Sequence, residues 1–113
     1  MESKLFFETA TTGWEHLGEG VSRQIMGYND RIMLVKVRFD KGAVGALHKH
    51  PHVQNSYIAE GAFEVTIGNQ VQLLRAGDSF FVPSDTVHGV RCTETGLLID
   101  VFSPFREDFL PKK

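Results

Sequence analysis

Apolar and polar residues alternate along most of the chain in short runs that are typical of β-strands. In residues 32–39 the apolar residues Met33, Val35, Val37 and Phe39 would share one face of a strand, while Lys36 and Arg38 would lie on the other. Residues 62–67 alternate in the same way, and Gly68-Asn69 behind them is a two-residue hairpin signal. The other apolar runs predict strands at 18–26, 43–50, 54–59, 71–74, 79–82, 88–92 and 97–102. About nine short strands without a convincing amphipathic helix predict an all-β barrel or sandwich.

The two ends of the chain do not continue this pattern. Residues 1–16 are predicted to form an irregular or edge-strand arm, with Phe6, Phe7 and Trp14 as anchors onto a partner surface. Residues 104–113 form a predicted C-terminal tail, whose last three residues, Pro111 to Lys113, are expected to be loose. We therefore expect one domain over residues 1–113, with the core barrel at about 18–103.

Composition and charge exclude several classes of partner. The 12 basic and 14 acidic residues give a net charge of −2 without a basic stripe, so neither nucleic acid nor an anionic membrane is an expected partner. No apolar run approaches the ~20 residues of a spanning helix, and the N-terminus does not resemble a signal peptide. The single cysteine, Cys92, is expected to be a small buried hydrophobe. These features predict a cytoplasmic location.

Histidines are the strongest chemical signal. His48, His50 and His52 occur together in the segment HKHPH, and His88 follows forty residues after the first. In a straight strand, His48 and His50 would point the same way with Cα atoms about 6–7 Å apart, a suitable separation for one ion. Imidazole nitrogen suits divalent transition metals. The His-x-His pattern alone is a weak signal. The role of His52 stays open, as a pocket or supporting residue, a surface residue or a ligand.

The spacing around these histidines resembles the two sequence motifs of the cupins. In the first, Gly42 is followed after five residues by His48, then by His50, Gln54 and Gly61 at the spacings of that family. The second motif runs from Gly77 through Pro83 to His88. The departures are Gln54 where glutamate is usual, Asp85 in place of glycine and Cys92 in place of asparagine. The resemblance implies a single cupin-type β-barrel, or jelly roll, that holds one divalent transition metal through His48, His50, Gln54 and His88.

Glutamine at the fourth ligand position has a physical consequence. An amide oxygen can still coordinate a metal, but three imidazoles and one amide leave the full double-positive charge on the site. Such a centre favours Lewis-acid chemistry on an anionic substrate over oxygen activation. The ion itself could be Zn, Ni, Mn, Co or Fe. The alternative is that the site has lost its metal and that the histidines remain as packing residues.

A closer resemblance extends over residues 14–110. The segments KGAVGALHKHPH, GDSFFVPSDTVHG and LLIDVFSPFREDF look like those of the KdgF-type pectin-degradation cupins. That family opens the ring of 4,5-unsaturated monouronates from pectin or alginate breakdown and ketonises them to linear 5-keto-4-deoxyuronates. The resemblance implies the same metal-assisted isomerase activity here, with a small sugar acid as substrate. It also implies that Asp100, Phe102 and Arg106 are catalytic residues.

These three residue types suit that chemistry. Asp100 and Phe102 are two residues apart on a predicted strand, so both can face the barrel interior. A buried carboxylate is costly unless it is paired or solvated, which favours a proton-shuttling role for Asp100. Arg106 could grip a carboxylate with two hydrogen bonds and hold negative charge, and Phe102 could shape the sugar pocket. Alternatively, Asp100 and Arg106 form a structural ion pair, and Phe102 only fills the core.

Other functions remain open at this point. A metal-dependent dioxygenase, a different sugar isomerase and a non-catalytic sugar-binding cupin all fit the same motifs. A homodimer is expected, because the apolar side chains of the N-terminal arm offer a surface for one. The sequence does not determine the native metal, the preferred uronate or whether the protein turns its ligand over.

Overall fold

The computed structural model describes residues 1–111 as eight β-strands and two single-turn 3₁₀ helices. The strands are β1 (Glu15–Gly18), β2 (Val21–Asn29), β3 (Ile32–Phe39), β4 (Val44–His48), β5 (Val53–Ile67), β6 (Gln70–Arg75), β7 (Ser79–Val82) and β8 (His88–Ser103). The 3₁₀ helices are Thr9–Thr11 and Glu107–Phe109. This architecture confirms the predicted all-β class. The prediction of a loose end falls mostly on Lys112 and Lys113, which lie outside the described residues.

Two long strands organise the fold. β5 and β8 pair antiparallel over their whole length, from Val53 opposite Ser103 to Ile67 opposite His88. In one half of this ladder their outer neighbours are β7 and β3, and in the other half they are β6 and β4. β2 and β1 then extend the sheet beyond β3. The change of neighbours half-way along the ladder folds the sheet around a shared core, as in a jelly roll.

The prediction of nine strands is wrong because two of the predicted breaks, at residues 60–61 and 93–96, do not end a strand. The predicted strands at 54–59 and 62–67 are both parts of β5, and those at 88–92 and 97–102 are both parts of β8. Gly61 has φ of 80°, and a Cβ atom there would overlap the carbonyl oxygens of Glu94 and Thr95. A Cβ on Gly96 would overlap the Glu60 carbonyl oxygen. The two glycines thus allow β5 and β8 to bend against each other without breaking the ladder.

Two strand boundaries near the ends of the barrel also differ from the prediction. The predicted strand at 43–50 ends at His48, so β4 does not include His50. The predicted strand at 18–26 is instead β2, which begins at Val21, while residues 15–18 form the separate edge strand β1. Both changes follow from pairing: β4 reaches the first residue of β8 at His48, and β1 pairs with β2 through a turn at residues 19 and 20.

The core contains residues from both halves of the long ladder. The larger cluster consists of Phe39, Ile58, Phe63, Val65, Phe80, Val82, Cys92 and Leu98. Its members confirm the alternation predicted for residues 62–67 and the burial predicted for Cys92, which is 0% exposed. A smaller cluster is formed by Met33, Val35 and Phe102, and Phe105, Phe109 and Leu110 pack against it. The C-terminal tail is therefore packed on the same end of the barrel that carries Phe102.

The N-terminal arm lies along β2. The side chain of Gln24 is fully buried, and its Nε2 donates hydrogen bonds to the carbonyl oxygens of Thr9 and Thr12 at 3.1 and 2.9 Å. Phe7 and Trp14 are half-buried on their own chain, whereas Phe6 is 84% exposed. Of the three predicted anchors, Phe6 alone is thus fully presented to solvent. Within residues 1–111, no helix has the length and apolar character needed to cross a membrane.

Candidate metal centre and active site

Three histidine side chains converge at one end of the barrel. His48, the last residue of β4, lies opposite His88, the first residue of β8, and His50 follows two positions later. The ring centroids are 4.4 Å apart for His48 and His88, 4.8 Å for His50 and His88, and 5.5 Å for His48 and His50. One nitrogen of each ring lies within 4.8 Å of the others. These three residues could therefore hold a metal ion.

The backbone fixes which nitrogen of each imidazole faces the centre. The Nδ1 atoms of His48, His50 and His88 lie 2.8, 3.0 and 2.8 Å from the carbonyl oxygens of Ala46, His52 and Thr86. Because a carbonyl oxygen only accepts, each Nδ1 carries the proton and each Nε2 keeps a free lone pair. Burial lowers the pKa of His50 and of His88, and the charge of Arg106 adds to this effect. For His50 and His88 this favours the neutral form that binds metals.

A hydrogen-bond chain from Asp100 orients the amide of Gln54. The Ser56 Oγ donates to the Asp100 Oδ1 at 2.6 Å, so its remaining capacity is to accept. It accepts from the Gln54 Nε2 at 3.0 Å. The Gln54 Oε1 is thereby turned towards the His50 Nε2, at 3.1 Å. This contact brings two lone-pair atoms together, which is the arrangement expected around a cation.

The donor set fits a divalent ion in a second respect. The Nε2 of His88 is buried and has no hydrogen-bond partner among the residues that the structure describes. A buried nitrogen of this kind is costly unless something occupies its lone pair. His52 contributes through its backbone, whose carbonyl oxygen accepts from His50, and its ring lies 5.5 Å from that of His50. His52 therefore supports one of the converging imidazoles.

Asp100 is a buried carboxyl group with a shifted pKa. It is 7% exposed, and burial raises its pKa to about 6, although the Ser56 hydrogen bond and the charge of Arg106 act in the opposite direction. A group with a pKa of about 6 can both accept and release a proton near neutral pH. The predicted placement of Asp100 and Phe102 on the interior face of one strand is what the structure shows, since both are buried in β8.

Arg106 does not form the ion pair with Asp100 that the sequence left as an alternative. Its Nε and Nη2 donate to the two carboxylate oxygens of Asp108 at 3.0 and 2.9 Å. These hydrogen bonds lower the pKa of Asp108. The guanidinium carbon lies 4.1 Å from the ring centroid of Phe109 and 5.0 Å from that of Phe102. Arg106 is thus held in place by residues of the tail. Its Nε and Nη2 donors, which could bind a substrate carboxylate in a two-pronged contact, are already used by Asp108.

A cavity of about 190 Å³ joins these groups. Six of the seven predicted site residues line it, namely His48, Gln54, His88, Asp100, Phe102 and Arg106. His50 lies beside them, with its ring 5.8 Å from that of Phe102. The rest of the lining is mainly apolar and includes Val35, Val37 and Phe39 of the neighbouring strand β3. The volume is below the range typical of sites for drug-sized ligands, so it suits one sugar ring better than an oligosaccharide.

Four residues at the site were not predicted from the sequence: Arg23, Ser56, Asp108 and Phe109. Two of them carried a usable signal. Ser56 is two residues from Gln54 on the same strand and therefore shares its face, and Asp108 is two residues from Arg106. Arg23 had no such signal, because a basic residue in an alternating strand is usually solvent-exposed. Only its pairing opposite Val37 brings it to the cavity.

Comparison with known proteins agrees with this geometry. Residues 35–102 match the cupin domain family. The chain is 45% identical over 107 residues to the pectin degradation protein KdgF of Dickeya dadantii (strain 3937), covering 93% of this chain and 97% of that protein. A crystal structure of an RmlC-like cupin from Shewanella frigidimarina NCIMB 400 is 48% identical with a TM-score of 0.94, covering 96% and 98% of the two chains. The structure of KdgF from Halomonas sp. is 39% identical with a TM-score of 0.91, covering 96% and 100%.

The barrel, the two motifs and the histidine cluster together define a cupin. The matched residues include most of the long β5–β8 ladder and all three histidines. Within the cupins, the chain belongs to the KdgF family of pectin-degradation proteins, which confirms the family that the sequence resembled.

Proposed function

We propose that this protein is a metal-dependent isomerase that opens the ring of 4,5-unsaturated monouronates from pectin or alginate and converts them to linear 5-keto-4-deoxyuronates. The observation that carries this proposal is one arrangement of side chains. Three converging imidazoles and the Gln54 Oε1 lie at, or directly beside, the small cavity that also contains a buried carboxyl group with a pKa of about 6. Membership of the KdgF family supports the pectin-derived substrate class.

The reaction transfers one proton within the substrate. The hydroxyl on C1 loses its proton, the bond between C1 and the ring oxygen breaks, and an aldehyde forms at C1. The electrons pass to the ring oxygen, which becomes an enolate oxygen on C5, and protonation at C4 then gives the ketone. No atom is gained or lost, so one group that accepts and returns a proton suffices. Asp100 is suited to this role, because its pKa lies close to neutral pH.

The surrounding residues bind and orient the substrate. A divalent ion held by His48, His50, Gln54 and His88 would supply Lewis-acid stabilisation of negative charge on the substrate's oxygen atoms. Arg106 is buried at the cavity and, although paired with Asp108, retains donors on Nη1 for a sugar oxygen. Phe102 forms a wall beside Asp100 and excludes water from the proton transfer. The neutral amide of Gln54 leaves the charge of the ion undiminished, which favours this role for Zn, Ni, Mn, Co or Fe(II).

The proposal is tested by adding the purified protein to an unsaturated monouronate and following the ultraviolet absorbance of its conjugated double bond. We expect loss of the chromophore well above the spontaneous rate, and a return to that rate after chelation or in Asp100→Ala. The matched control is Asp40→Ala, which removes an exposed carboxylate in the turn after β3. Chromophore loss that is unchanged after demetallation, or in Asp100→Ala, contradicts the proposal. Sugar binding without turnover would instead make the protein a binding module.

We also propose that the protein acts in the cytoplasm as a homodimer. The single cysteine is free and buried, in keeping with a reducing compartment. Leu5 and Phe6 of the arm are each 84% exposed, an unusual exposure for adjacent apolar side chains. Light scattering on the wild type and on Phe6→Ser tests the second part: a dimer that Phe6→Ser weakens supports it, and a monomeric wild type contradicts it.

A further inference from the structure

Two guanidinium groups reach the cavity, and they differ in how far their hydrogen-bonding capacity is used. Arg106 gives both Nε and Nη2 to Asp108, in a two-pronged pair. Arg23, on β2, lines the same cavity, with its guanidinium carbon 3.9 Å from the ring centroid of Phe109. That ring also contacts Arg106, at 4.1 Å. Phe109 therefore fixes both arginines on one side of the site.

The Nε donor of Arg23 is unused. Its Nε is buried and has no hydrogen-bond partner within residues 1–111. Among the described residues it forms an ion pair that joins Nη2 to the Glu15 Oε2 at 3.3 Å, and the Glu15 side chain is 50% exposed. A pair with a half-exposed carboxylate is screened by water and offsets little of the positive charge. The Arg23 side chain is only 14% exposed, so its free donor is not satisfied by bulk solvent.

The charges around the cavity also favour an anionic ligand. Arg106 and Asp108 compensate each other, whereas the partner of Arg23 in the described part of the chain is the half-exposed Glu15. A buried N–H without an acceptor is rare in folded proteins and calls for an explanation. A ligand that brings an anionic oxygen would satisfy this donor and use the surplus charge. A carboxylate oxygen is the acceptor that best suits a charged N–H donor of this kind.

We propose that Arg23 is a substrate-binding residue whose Nε–H donates to the carboxylate of the sugar acid and selects acids over neutral sugars. This inference rests on the proposed function for its substrate class. It assigns to Arg23 the role of carboxylate recognition that the sequence had suggested for Arg106, whose two-pronged edge is already taken by Asp108. Arg106 is left to contact other oxygen atoms through Nη1.

The test measures binding separately from turnover. Galacturonate, a saturated monouronate without the reactive double bond, is titrated calorimetrically into the wild type and into Arg23→Gln. We expect about 10- to 100-fold weaker binding for Arg23→Gln, the range for loss of a charged hydrogen bond in a desolvated site. In the chromophore assay KM should rise by a similar factor, with kcat changed by less than about threefold. Arg23→Lys, which keeps the charge but lacks the Nε donor, should lie between the two.

Two control variants separate recognition from structure. Glu15→Gln removes the surface partner of Arg23 and leaves its guanidinium, so galacturonate affinity should be unchanged. Arg91→Gln removes an arginine from a comparable pair with Glu64, at 3.4 Å on an exposed part of β8. It should also bind normally. Thermal unfolding of each variant shows whether it is folded, and Arg23→Lys keeps the test valid if Arg23→Gln is not.

The inference is overturned if Arg23→Gln or the folded Arg23→Lys binds galacturonate as the wild type does, or if Glu15→Gln shows the same loss as Arg23→Gln. Its failure is distinguishable from failure of the proposed function. A wild type that ketonises the unsaturated sugar while Arg23 variants keep their KM refutes the inference alone. A wild type that binds galacturonate through Arg23 but leaves the unsaturated sugar unchanged refutes the proposed ketonisation alone.

Discussion

Replacing Asp100 by asparagine is expected to stabilise the metal-free protein while abolishing turnover. Burial raises the pKa of Asp100 from its ordinary 3.8 to about 6. With its pKa raised this far, the charged carboxylate costs about 3 kcal/mol of folding free energy at pH 7. Asparagine removes this cost, and its Oδ1 can still accept from Ser56. Its amide hydrogens need an acceptor in return, which offsets about 1 kcal/mol.

The stability difference between Asp100→Asn and the wild type should depend on pH. Because the pKa of Asp100 is raised in the folded state, the carboxylate form is penalised above about pH 6, and the penalty disappears once the pH falls below 3.8. The stability advantage of Asp100→Asn should therefore be largest at pH 7 and smaller by about 2 kcal/mol at pH 4. The cost of the asparagine amide does not titrate, so it cancels in this difference.

Urea unfolding of both proteins at pH 7 and pH 4, with chelator present, measures the difference directly. Chelation matters, because a bound cation would favour the carboxylate and reduce the effect. Asp40→Asn, which makes the same substitution at an exposed turn position, is the matched control. The reasoning is refuted if the stability difference between Asp100→Asn and the wild type is the same at both pH values, or if it is larger at pH 4.

Three further changes test the site and the fold. Gln54→Glu should tighten Zn²⁺ binding about tenfold or more and slow ketonisation, since a carboxylate neutralises part of the charge of the ion; weaker binding in a chelator competition would contradict this. Ser56→Ala should weaken Zn²⁺ binding about 10- to 100-fold by releasing the Gln54 amide, and wild-type affinity would rule out its orienting role. Gly61→Ala should lower the free energy of unfolding by well over about 1 kcal/mol. Gly68→Ala, at a similar φ but with open space around it, should cost less, and equal losses in urea unfolding would argue against close packing at Gly61.

Local patterns in the sequence were sufficient to predict much of the fold. Alternation in residues 32–39 and 62–67 predicted which side chains are buried, because the period of a strand is a local property. The same patterns could not show that β5 and β8 continue through Gly61 and Gly96. That outcome depends on the contact between the two strands, more than 30 positions apart in the chain, where each glycine lies against the carbonyl oxygens of the other strand.

The sequence likewise predicted part of the candidate site. Motif spacing predicted His48, His50 and His88 as a cluster, even though β4 ends too early for the straight-strand geometry that first suggested it. What the sequence could not show is the orientation of each group. The amide of Gln54 is turned by a chain that ends at Asp100 on another strand. Such orientations arise from register between distant strands, which no local pattern encodes.

The imidazoles of three histidines and the amide oxygen of Gln54 are expected to bind a single divalent ion. Calorimetric titration of the demetallated protein with Zn²⁺ tests it most directly, with His88→Ala beside the wild type. We expect one ion per chain for the wild type and binding at least a hundredfold weaker for His88→Ala, because that substitution removes a buried Nε2 that faces the centre. A wild type that binds no ion, or a His88→Ala variant that binds Zn²⁺ as tightly as the wild type, would contradict it.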